Sequence, residues 1–439
     1  MSVLVQIPLF SWEKVDASPE IVRLGALLDA LPDEALLRSL HAHRKGRHDE
    51  YPLRALWRST VAGIVLGHKG PAELIRELRR NAELRQVCGF DPLRGEDAVP
   101  GDYVYSRFHA LLIARIHLIQ AMFAQLLDGV ATLLSDLGKD QAIDSKALPV
   151  LGVRPKDADI GTKSYENDSA DQEIRQWFGY KLHLLIDANY ELPLAFEVTK
   201  ASAADSPRLM PIIERLAAEH PEIHARAETL AADKGYDDGK DKEDLYDDHG
   251  IVPLIPPRAF PKNSAPMRPL DPRRHDAIYY NSKGEVSCKI APFESEDAKA
   301  FAAMEFMGFE RGRRTLKFRC PAAAFGIECR NREACRSSQR VREGKYGRVV
   351  RVPLDTNRRI FLPWHYPSRT FRHAYRKRTA VERVNSRLDN VHGFEHTYTR
   401  GLSRMTLRVS LVMIVMLATA VAWVEAGRIE NIRRILRAA

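Results

Sequence analysis

Three acidic residues are the side chains of this 439-residue chain best suited to do chemistry together. Asp144 lies in a short predicted strand, Asp233 follows a later strand, and Glu382 lies in a basic helix near the C-terminus. Two-metal catalysis of phosphoryl transfer needs acidic ligands from separate elements, and Mg²⁺ prefers oxygen ligands. Each Asp alone is more often a cap or turn residue, so the catalytic hypothesis rests on the three acids taken together.

The segment from Tyr375 to Asp389 is predicted to be a helix with two different faces. Tyr375, Arg378 and Glu382 fall at i, i+3 and i+7 along one face. An adjacent apolar stripe at helical spacing consists of Phe371, Ala374, Val381, Val384 and Leu388. This stripe can pack on a core and hold the polar face towards a cleft, although a solvated basic helix with an internal Arg–Glu pair would look similar.

The pattern around these acids predicts an α/β fold in which helices flank a mixed sheet. Alternating apolar residues and turn residues predict strands over 140–145, 177–187, 192–199, 229–233 and 250–256. The second and third of these strands are predicted to form a hairpin. Apolar stripes predict helices over 206–220 and 240–249, and the polar segment 156–173 is predicted to be a loop.

Changes in periodicity and composition divide the chain into four regions. Residues 1–135 are predicted to form a helical domain whose basic side chains either contact DNA or face solvent, and its last helix is predicted over 106–127. Residues 136–256 are predicted to carry the first part of the sheet domain. A basic insertion with short strands is predicted over 257–367, and 368–439 hold the last acidic helix and the closing helices.

The charge of the chain suggests a polyanionic partner. The formal net charge is +9, and 28 lysines and arginines stand against 12 aspartates and glutamates between Arg258 and Arg378. A basic region of that size is typical of a phosphate-binding surface.

Two observations predict a cytoplasmic protein. The N-terminus lacks a basic segment followed by a long apolar one, so no secretion signal is expected. The apolar run 409–424 contains Ser410 and Thr419 and is shorter than the roughly 20 residues that cross a membrane. We therefore interpret it as a buried C-terminal helix and expect no membrane contact.

Several motifs resemble those of bacterial insertion-sequence transposases of the DDE class, in the group marked by a Tyr-Arg-Glu-Lys signature. Ala-Ile-Asp-Ser-Lys at 142–146 is similar to the first catalytic strand, and Ala-Asp-Lys-Gly-Tyr at 232–236 to the second acidic segment. Tyr375, Arg378 and Glu382 match the spacing of the third motif. The resemblance covers nearly the whole chain.

The resemblance implies a ribonuclease H-like catalytic domain with an insertion before the last catalytic helix. It implies that Asp144, Asp233 and Glu382 bind Mg²⁺, for which Mn²⁺ can substitute. The implied reaction cuts transposon ends by hydrolysis and joins their 3′-hydroxyl groups to target DNA by transesterification. The implied partners are double-stranded DNA, as terminal inverted repeats and as target, and a second copy of the chain in a homodimer on that DNA.

Two other functions stay open at this point. The first is a ribonuclease H-like nuclease that cuts DNA without strand transfer. The second is a transposase-derived DNA-binding repressor without chemistry, against which the intact set of three acids argues.

Other residues are candidates to support the acids or to contact DNA. Tyr375 and Arg378 share the helical face of the third acid, and Lys234 directly follows the second. Lys181 and His183 lie in the hairpin, within a segment that also resembles the family. They are candidates for the active-site face of the sheet, with structural contacts as the alternative.

One position departs from the signature. The Lys expected seven residues after Glu382 is Asp389 in this chain, and Arg387 lies two residues earlier. Either Arg387 substitutes for that Lys near the cut DNA, or the contact is absent.

The basic insertion also contains four of the five cysteines, with 31, 8 and 5 residues between them: Cys288, Cys320, Cys329 and Cys335. This is not paired C-x-x-C spacing. One hypothesis is a structural Zn²⁺ site, which would organise a segment with little core of its own. The other is a set of reduced, unconnected thiols.

Overall fold

The N-terminal region is helical. A computed structural model of the chain describes residues 18–44, 51–166, 172–273, 276–291, 300–333, 335–395 and 398–433. Within those ranges the chain begins with α1 (Pro19–Asp29), α2 (Glu34–Ala42), α3 (Leu53–Val65), α4 (Pro71–Arg80), α5 (Ala82–Cys88), α6 (Asp102–Ile113) and α7 (Ile116–Leu133). Trp57, Val61 and Ala62 of α3 are completely buried, so this helix lies at the centre of the region.

The predicted single helix over 106–127 is wrong in one respect, because the structure divides it at Ala114 and Arg115 into α6 and α7. The buried Arg115 guanidinium donates from Nη1 to the Leu111 carbonyl oxygen (3.1 Å) and from Nε to Ser39 Oγ (3.0 Å). It thereby satisfies a carbonyl group that the end of α6 leaves without a helical partner.

A mixed sheet follows these helices. Its strands are β1 (Asp140–Pro149), β2 (Asp159–Glu166), β3 (Gln172–Asp187), β4 (Pro193–Lys200), β5 (Thr229–Ala231) and β6 (Val252–Leu254). The order across the sheet is β2-β3-β1-β5-β6, and β4 also pairs with β3. The strands β1, β5 and β6 run parallel to one another, whereas β3 is antiparallel to β1, β2 and β4.

Three helices connect the later strands of this sheet: α8 (Leu209–Glu219), α9 (Pro221–Ala225) and α10 (Gly239–Asp247). The positions of α8 and α10 agree with the two predicted helices, whereas α9 was not predicted. The predicted hairpin is the antiparallel pair of β3 and β4. The predicted α/β class with a mixed sheet and helices is therefore confirmed.

The predicted loop over 156–173 is wrong, because it contains β2. This strand pairs with the first half of β3, from Asp159 opposite Gly179 to Glu166 opposite Gln172. An edge strand is held by hydrogen bonds between backbone groups and needs no apolar alternation, so its sequence carries little signal. Residues 167–171 of that prediction lie outside the described part of the chain.

The described residues of the basic insertion form two small sheets and two short helices. Its elements are β7 (Met267–Pro269), β8 (Ile278–Asn281), β9 (Val286–Lys289), β10 (Phe301–Ala303), β11 (Glu305–Glu310), β12 (Thr315–Arg319), α11 (Pro321–Phe325), α12 (Gln339–Glu343) and β13 (Val349–Pro353). The two sheets enclose a buried apolar cluster that includes Ile278, Leu316, Phe318 and Phe361. The expectation that this segment has little core of its own is therefore wrong.

The predicted helix with the third acid is present, but it consists of three consecutive pieces. These are α13 (Arg369–Tyr375), a single 3₁₀ turn (Arg376–Arg378) and α14 (Thr379–Asn390). The predicted apolar stripe, from Phe371 to Leu388, is completely or almost completely buried. Packing of this stripe fixes which face of α14 points outward.

The chain then forms one long apolar helix, α15 (Leu402–Glu425). By length and composition both α7 and α15 could cross a membrane, and α15 has 24 residues, so the prediction that its apolar run is too short was wrong. However, 72% of the most apolar 18-residue stretch of α15 is buried inside the protein, where the helix packs against α7, α3 and β4. This burial supports the interpretation of α15 as a core helix.

A buried ion-pair cluster joins the insertion to the sheet domain. The Asp237 side chain is fully buried and accepts from Lys242 Nζ (2.5 Å) and from Arg359 Nη1 (2.7 Å). It also accepts from the backbone N–H of Arg258 (2.6 Å), at the start of the insertion. Because Arg258 and Arg359 lie near opposite ends of the insertion, this single carboxylate holds both of its connections close to Asp233.

We expect Asp237→Ala to lower the free energy of unfolding by about 3–5 kcal/mol, because it leaves the buried Lys242 ammonium without its counterion. Chemical denaturation monitored by tryptophan fluorescence measures this change. The control is Asp248→Ala at an exposed position, which should change stability by less than about 0.5 kcal/mol. Equal effects of the two substitutions would contradict the importance of the buried cluster.

Candidate active site

The pairing of β1 with β5 brings the first two acids together. The strands are parallel, and Ala142 lies opposite Ala231. Asp144 lies two residues after Ala142, and Asp233 lies two residues after Ala231. Both acids therefore lie at the same level, just beyond the last residues that pair β1 with β5. The two carboxylates are close enough that the negative charge of Asp233 helps to raise the pKa of Asp144. A site with two adjacent carboxylates attracts a cation.

Asp144 is a buried acid with an unusual proton affinity. Only 8% of the residue is exposed, and its Oδ1 accepts from the Ser145 N–H (2.8 Å). Burial raises its pKa to about 6, the charge of Asp233 contributes to the rise, and Lys163 and Arg378 oppose it. Desolvation penalises the ionised form, which a bound metal ion would favour.

Asp233 is held by a local turn. Its Oδ1 accepts from the Gly235 N–H (2.7 Å) and so begins the 3₁₀ turn Lys234–Tyr236. A Cβ atom on Gly235 would lie 2.7 Å from the same oxygen, so any larger residue here would have to displace the Asp233 carboxylate. Lys234 is exposed, while its carbonyl oxygen accepts from Arg258 Nε (2.8 Å).

Glu382 and its predicted supporting residues form one cluster on the helix. Arg378 Nη2 lies 2.5 Å from Glu382 Oε1, and the Glu382 side chain is about half exposed (49%). The Arg378 guanidinium also lies 5.8 Å from the centre of the Tyr375 ring, which stacks on Phe371. Burial raises the pKa of Tyr375 to about 12, so this phenol stays neutral at physiological pH.

The Glu382 carboxylate is turned towards Arg378. Burial lowers the pKa of Arg378, but the charges of Glu382 and Asp144 help to raise it above its ordinary value, so the guanidinium lies near both acids. Within the described ranges, no group of three or more His, Cys, Asp or Glu side chains is arranged so that it could hold a metal ion. The described conformation therefore has Arg378 as the counterion of Glu382.

Lys181 and His183 lie on the other side of the sheet. Ser145 lies opposite His183 and Asp144 opposite Leu184, so His183 and Lys181 project from the face opposite to that of Asp144. Lys181 Nζ donates to Asp205 Oδ1 (3.0 Å) and to the Ala203 carbonyl oxygen. These residues make structural contacts and do not line the active-site face.

His183 itself is completely buried, and its Nε2 lies 3.0 Å from Thr199 Oγ1. Burial lowers its pKa to about 4, so the imidazole is neutral at physiological pH. A neutral imidazole within the core is suited to holding β3 against β4.

Arg387 already has an ion-pair partner in the structure. Its guanidinium pairs with the carboxylate of the buried Glu191 and donates to the Glu191 carbonyl oxygen (3.2 Å). The alternative in which Arg387 substitutes for a DNA-contacting Lys is therefore not favoured. Asp389 instead contacts Lys146, whose Nζ lies 2.5 Å from Asp389 Oδ2.

Lys146 belongs to the motif at 142–146, but the sequence predicted no role for it. One signal was available, because Lys146 follows Asp144 by two residues and must share its face of β1. Its partner could not be found from spacing, since Asp389 lies 243 residues away.

The four insertion cysteines are neighbours. Burial raises the pKa of the Cys288 thiol to about 12, and the thiols of Cys329, Cys320 and Cys335 contribute to the rise. The Asn331 N–H donates to the Ile290 carbonyl oxygen, which brings two of these segments together. The thiols are not arranged as a metal site among the described residues, so zinc binding stays a prediction.

Comparison with known proteins agrees with this geometry. The transposase DDE domain family matches residues 138–418. The match includes β1 with Asp144, the turn with Asp233 and the helix with Glu382, and it covers more than half of the chain. The chain therefore belongs to this family of insertion-sequence DDE transposases. No curated protein matches the chain.

We expect Asp144→Asn to stabilise the metal-free protein by about 2–3 kcal/mol at pH 7.5, since a carboxylate with a raised pKa destabilises the folded state when ionised. This gain in stability is complete above pH 6, which is about the pKa of Asp144 in the folded protein. It disappears as the pH falls towards 3.8, the ordinary pKa of an aspartate. Thermal unfolding in EDTA at pH 7.5 and pH 5 measures both effects.

The matched control is Asp97→Asn at an exposed position, which should leave the melting temperature unchanged at both pH values. A gain for Asp144→Asn that is equally large at pH 5 would contradict the electrostatic cause.

Proposed function

We propose that this chain is a Mg²⁺-dependent DNA transposase that hydrolyses one strand at each end of its element and joins the freed 3′-hydroxyl to target DNA. The observation that carries the proposal is the placement of Asp144 and Asp233 just beyond the paired residues of the parallel strands β1 and β5, beside a helix with Glu382. Membership of the transposase DDE domain family supports it. The mixed sheet with flanking helices supports a ribonuclease H-like catalytic domain.

The donor set suits Mg²⁺, and Mn²⁺ as a substitute. All three candidate ligands are carboxylates, which are hard oxygen donors. Bound ions would lower the pKa of a nucleophilic water or hydroxyl group and stabilise the leaving oxygen. Asp144 must be ionised for this role, as it is above its pKa of about 6, and Glu382 must turn away from Arg378. Arg378 is then free to contact a phosphate oxygen of the DNA.

The charge distribution supports a DNA substrate. The region from Arg258 to Arg378 carries the excess of basic residues and leads directly into α14. Phosphate contacts from this region would position the duplex without reading its sequence. Because two transposon ends have to be joined, we expect a homodimer on DNA, acting in the cytoplasm.

We expect Asp233→Asn and Glu382→Gln each to reduce Mg²⁺-dependent nicking of labelled terminal-repeat DNA by at least about 100-fold, since each removes a metal-ligating charge. The control is Glu228→Gln, an exposed carboxylate just before β5, which should cut normally. Normal cutting by either active-site variant would overturn the assignment.

A second substrate separates the proposed transposase from a nuclease. Duplexes that already end in a free 3′-hydroxyl should be joined to target DNA in the presence of Mg²⁺. Cutting without any joined product would favour the nuclease, and DNA binding without cutting under any metal would favour the repressor.

We expect Arg378→Ala to lower cleavage by about 10-fold or more while changing non-specific DNA affinity by less than about 3-fold, because one lost phosphate contact is a small part of total binding. The control is Arg376→Ala, an exposed Arg in the same 3₁₀ turn. Binding and single-turnover cutting of the same duplex measure the two quantities. Parallel losses in both quantities would show that Arg378 is only a general DNA contact.

A further inference from the structure

Two ion pairs join the catalytic helix to β1 on either side of the acids. Lys377 Nζ lies 2.5 Å from Asp140 Oδ2, and Lys146 Nζ lies 2.5 Å from Asp389 Oδ2. Along the strand, Asp140 precedes Asp144 by four residues and Lys146 follows it by two. Along the helical segment, Lys377 precedes the third acid by five residues and Asp389 follows it by seven.

These positions share faces. Residues 140, 144 and 146 differ by even numbers, so their side chains leave the same face of β1. Residues 382 and 389 are two helical turns apart and share one face of α14. Along both the strand and the helical segment, one ion pair therefore precedes the acid and the other follows it.

The pair at the far end is well protected from solvent. The Lys146 side chain is only 9% exposed, and that of Asp389 is 30% exposed. An ion pair in such a position depends on its geometry, because an unpaired charge there would be poorly solvated. The Asp140–Lys377 pair has additional hydrogen bonds, since Asp140 accepts from Thr229 Oγ1 of β5 (2.8 Å) and from Asn189 Nδ2.

The two ion pairs have opposite polarity, and this determines a single alignment of α14 along β1. In the first pair the strand supplies the acid and the helix the base, and in the second pair the roles are reversed. A shift of α14 by one turn would move its side chains by about 5.4 Å along β1. Both pairs would then break, because neither partner would meet an opposite charge at its new position.

A third contact holds α14 from the side of the hairpin. Glu191, at the turn between β3 and β4, is 1% exposed and lies 2.6 Å from Arg383 Nε. Its carboxylate also pairs with Arg387. This contact fixes the rotation of α14, while the two pairs with β1 fix its position along the strand.

We propose that Lys146 and Asp389 are positioning residues that hold α14 in register with β1, so that the Glu382 side chain alone has to move when the acids take up metal. This role rests on the proposed metal-dependent function. Lys146 acts through Asp389 and the helix, and its charge is not itself required at the DNA.

A charge-reversal cycle tests the proposal on the full-length protein without DNA. The variants are Lys146→Asp, Asp389→Lys and the double variant that carries both changes. Isothermal titration with Mn²⁺ measures metal affinity, and circular dichroism with thermal unfolding checks the fold. Each single reversal should weaken Mn²⁺ binding by about 10-fold or more, as loss of outer contacts does at other metal sites.

The double variant restores an ion pair with the opposite polarity, so it should recover Mn²⁺ affinity to within about 3-fold of the parent protein. Lys139→Ala is the control, because Lys139 forms an exposed pair with Glu228 and should not affect metal binding. If a single reversal fails to fold, Lys146→Gln and Asp389→Asn replace the reversals in the same titration and should weaken binding in the same direction.

Three outcomes would overturn the proposal. Unchanged Mn²⁺ affinity in the single variants would mean that the pair does not position the acids. Weak binding that the double variant fails to restore would mean that Lys146 acts through its own charge. Absence of Mn²⁺ binding by the parent protein would reject the metal-dependent function itself, which distinguishes that failure from the other two.

Discussion

The parallel pairing of β1 with β5 is the constraint on which the rest of the site depends. It puts Asp144 and Asp233 side by side, and two carboxylates in that position repel each other. Burial of Asp144 adds a desolvation penalty, as its raised pKa shows. The surrounding core has to offset both effects, and the buried stripe of α13 and α14 is part of that core. The arrangement is unfavourable for stability and favourable for cation binding.

Arg378 is the counterion of Glu382, one of the three acids. Glu382 is the most exposed of the three acids, and its side chain is longer and more flexible than those of the two aspartates. Its carboxylate pairs with Arg378, in the 3₁₀ turn directly before α14, and this arginine neutralises its negative charge. The same arginine lies close enough to Asp144 to oppose the rise of its pKa. A phosphate or a metal ion would compete for these interactions.

Local features of this fold could be predicted from the sequence, whereas long-range ones could not. The stripe from Phe371 to Leu388 and the face with Tyr375 follow from helical periodicity, which is a property of neighbouring residues. The edge strand β2 and the apolar core of the insertion gave little local signal. The opposite orientation of His183 depends on its register with Ser145 in another strand. The partners of Arg387 and Asp389 lie about two hundred residues away.

The insertion explains why such distant contacts are needed. It separates the sheet from α13 by more than a hundred residues, so chain connectivity alone holds the third acid loosely relative to the other two. The insertion has its own apolar core, and the Asp237 cluster holds its two ends close together beside the second acid. These contacts do not determine the exact position of α14 along β1, and a long connection contributes nothing to it. Directional contacts between strand and helix, outside the apolar stripe, have to supply that precision, and ion pairs of opposite polarity do so because they fit in only one alignment.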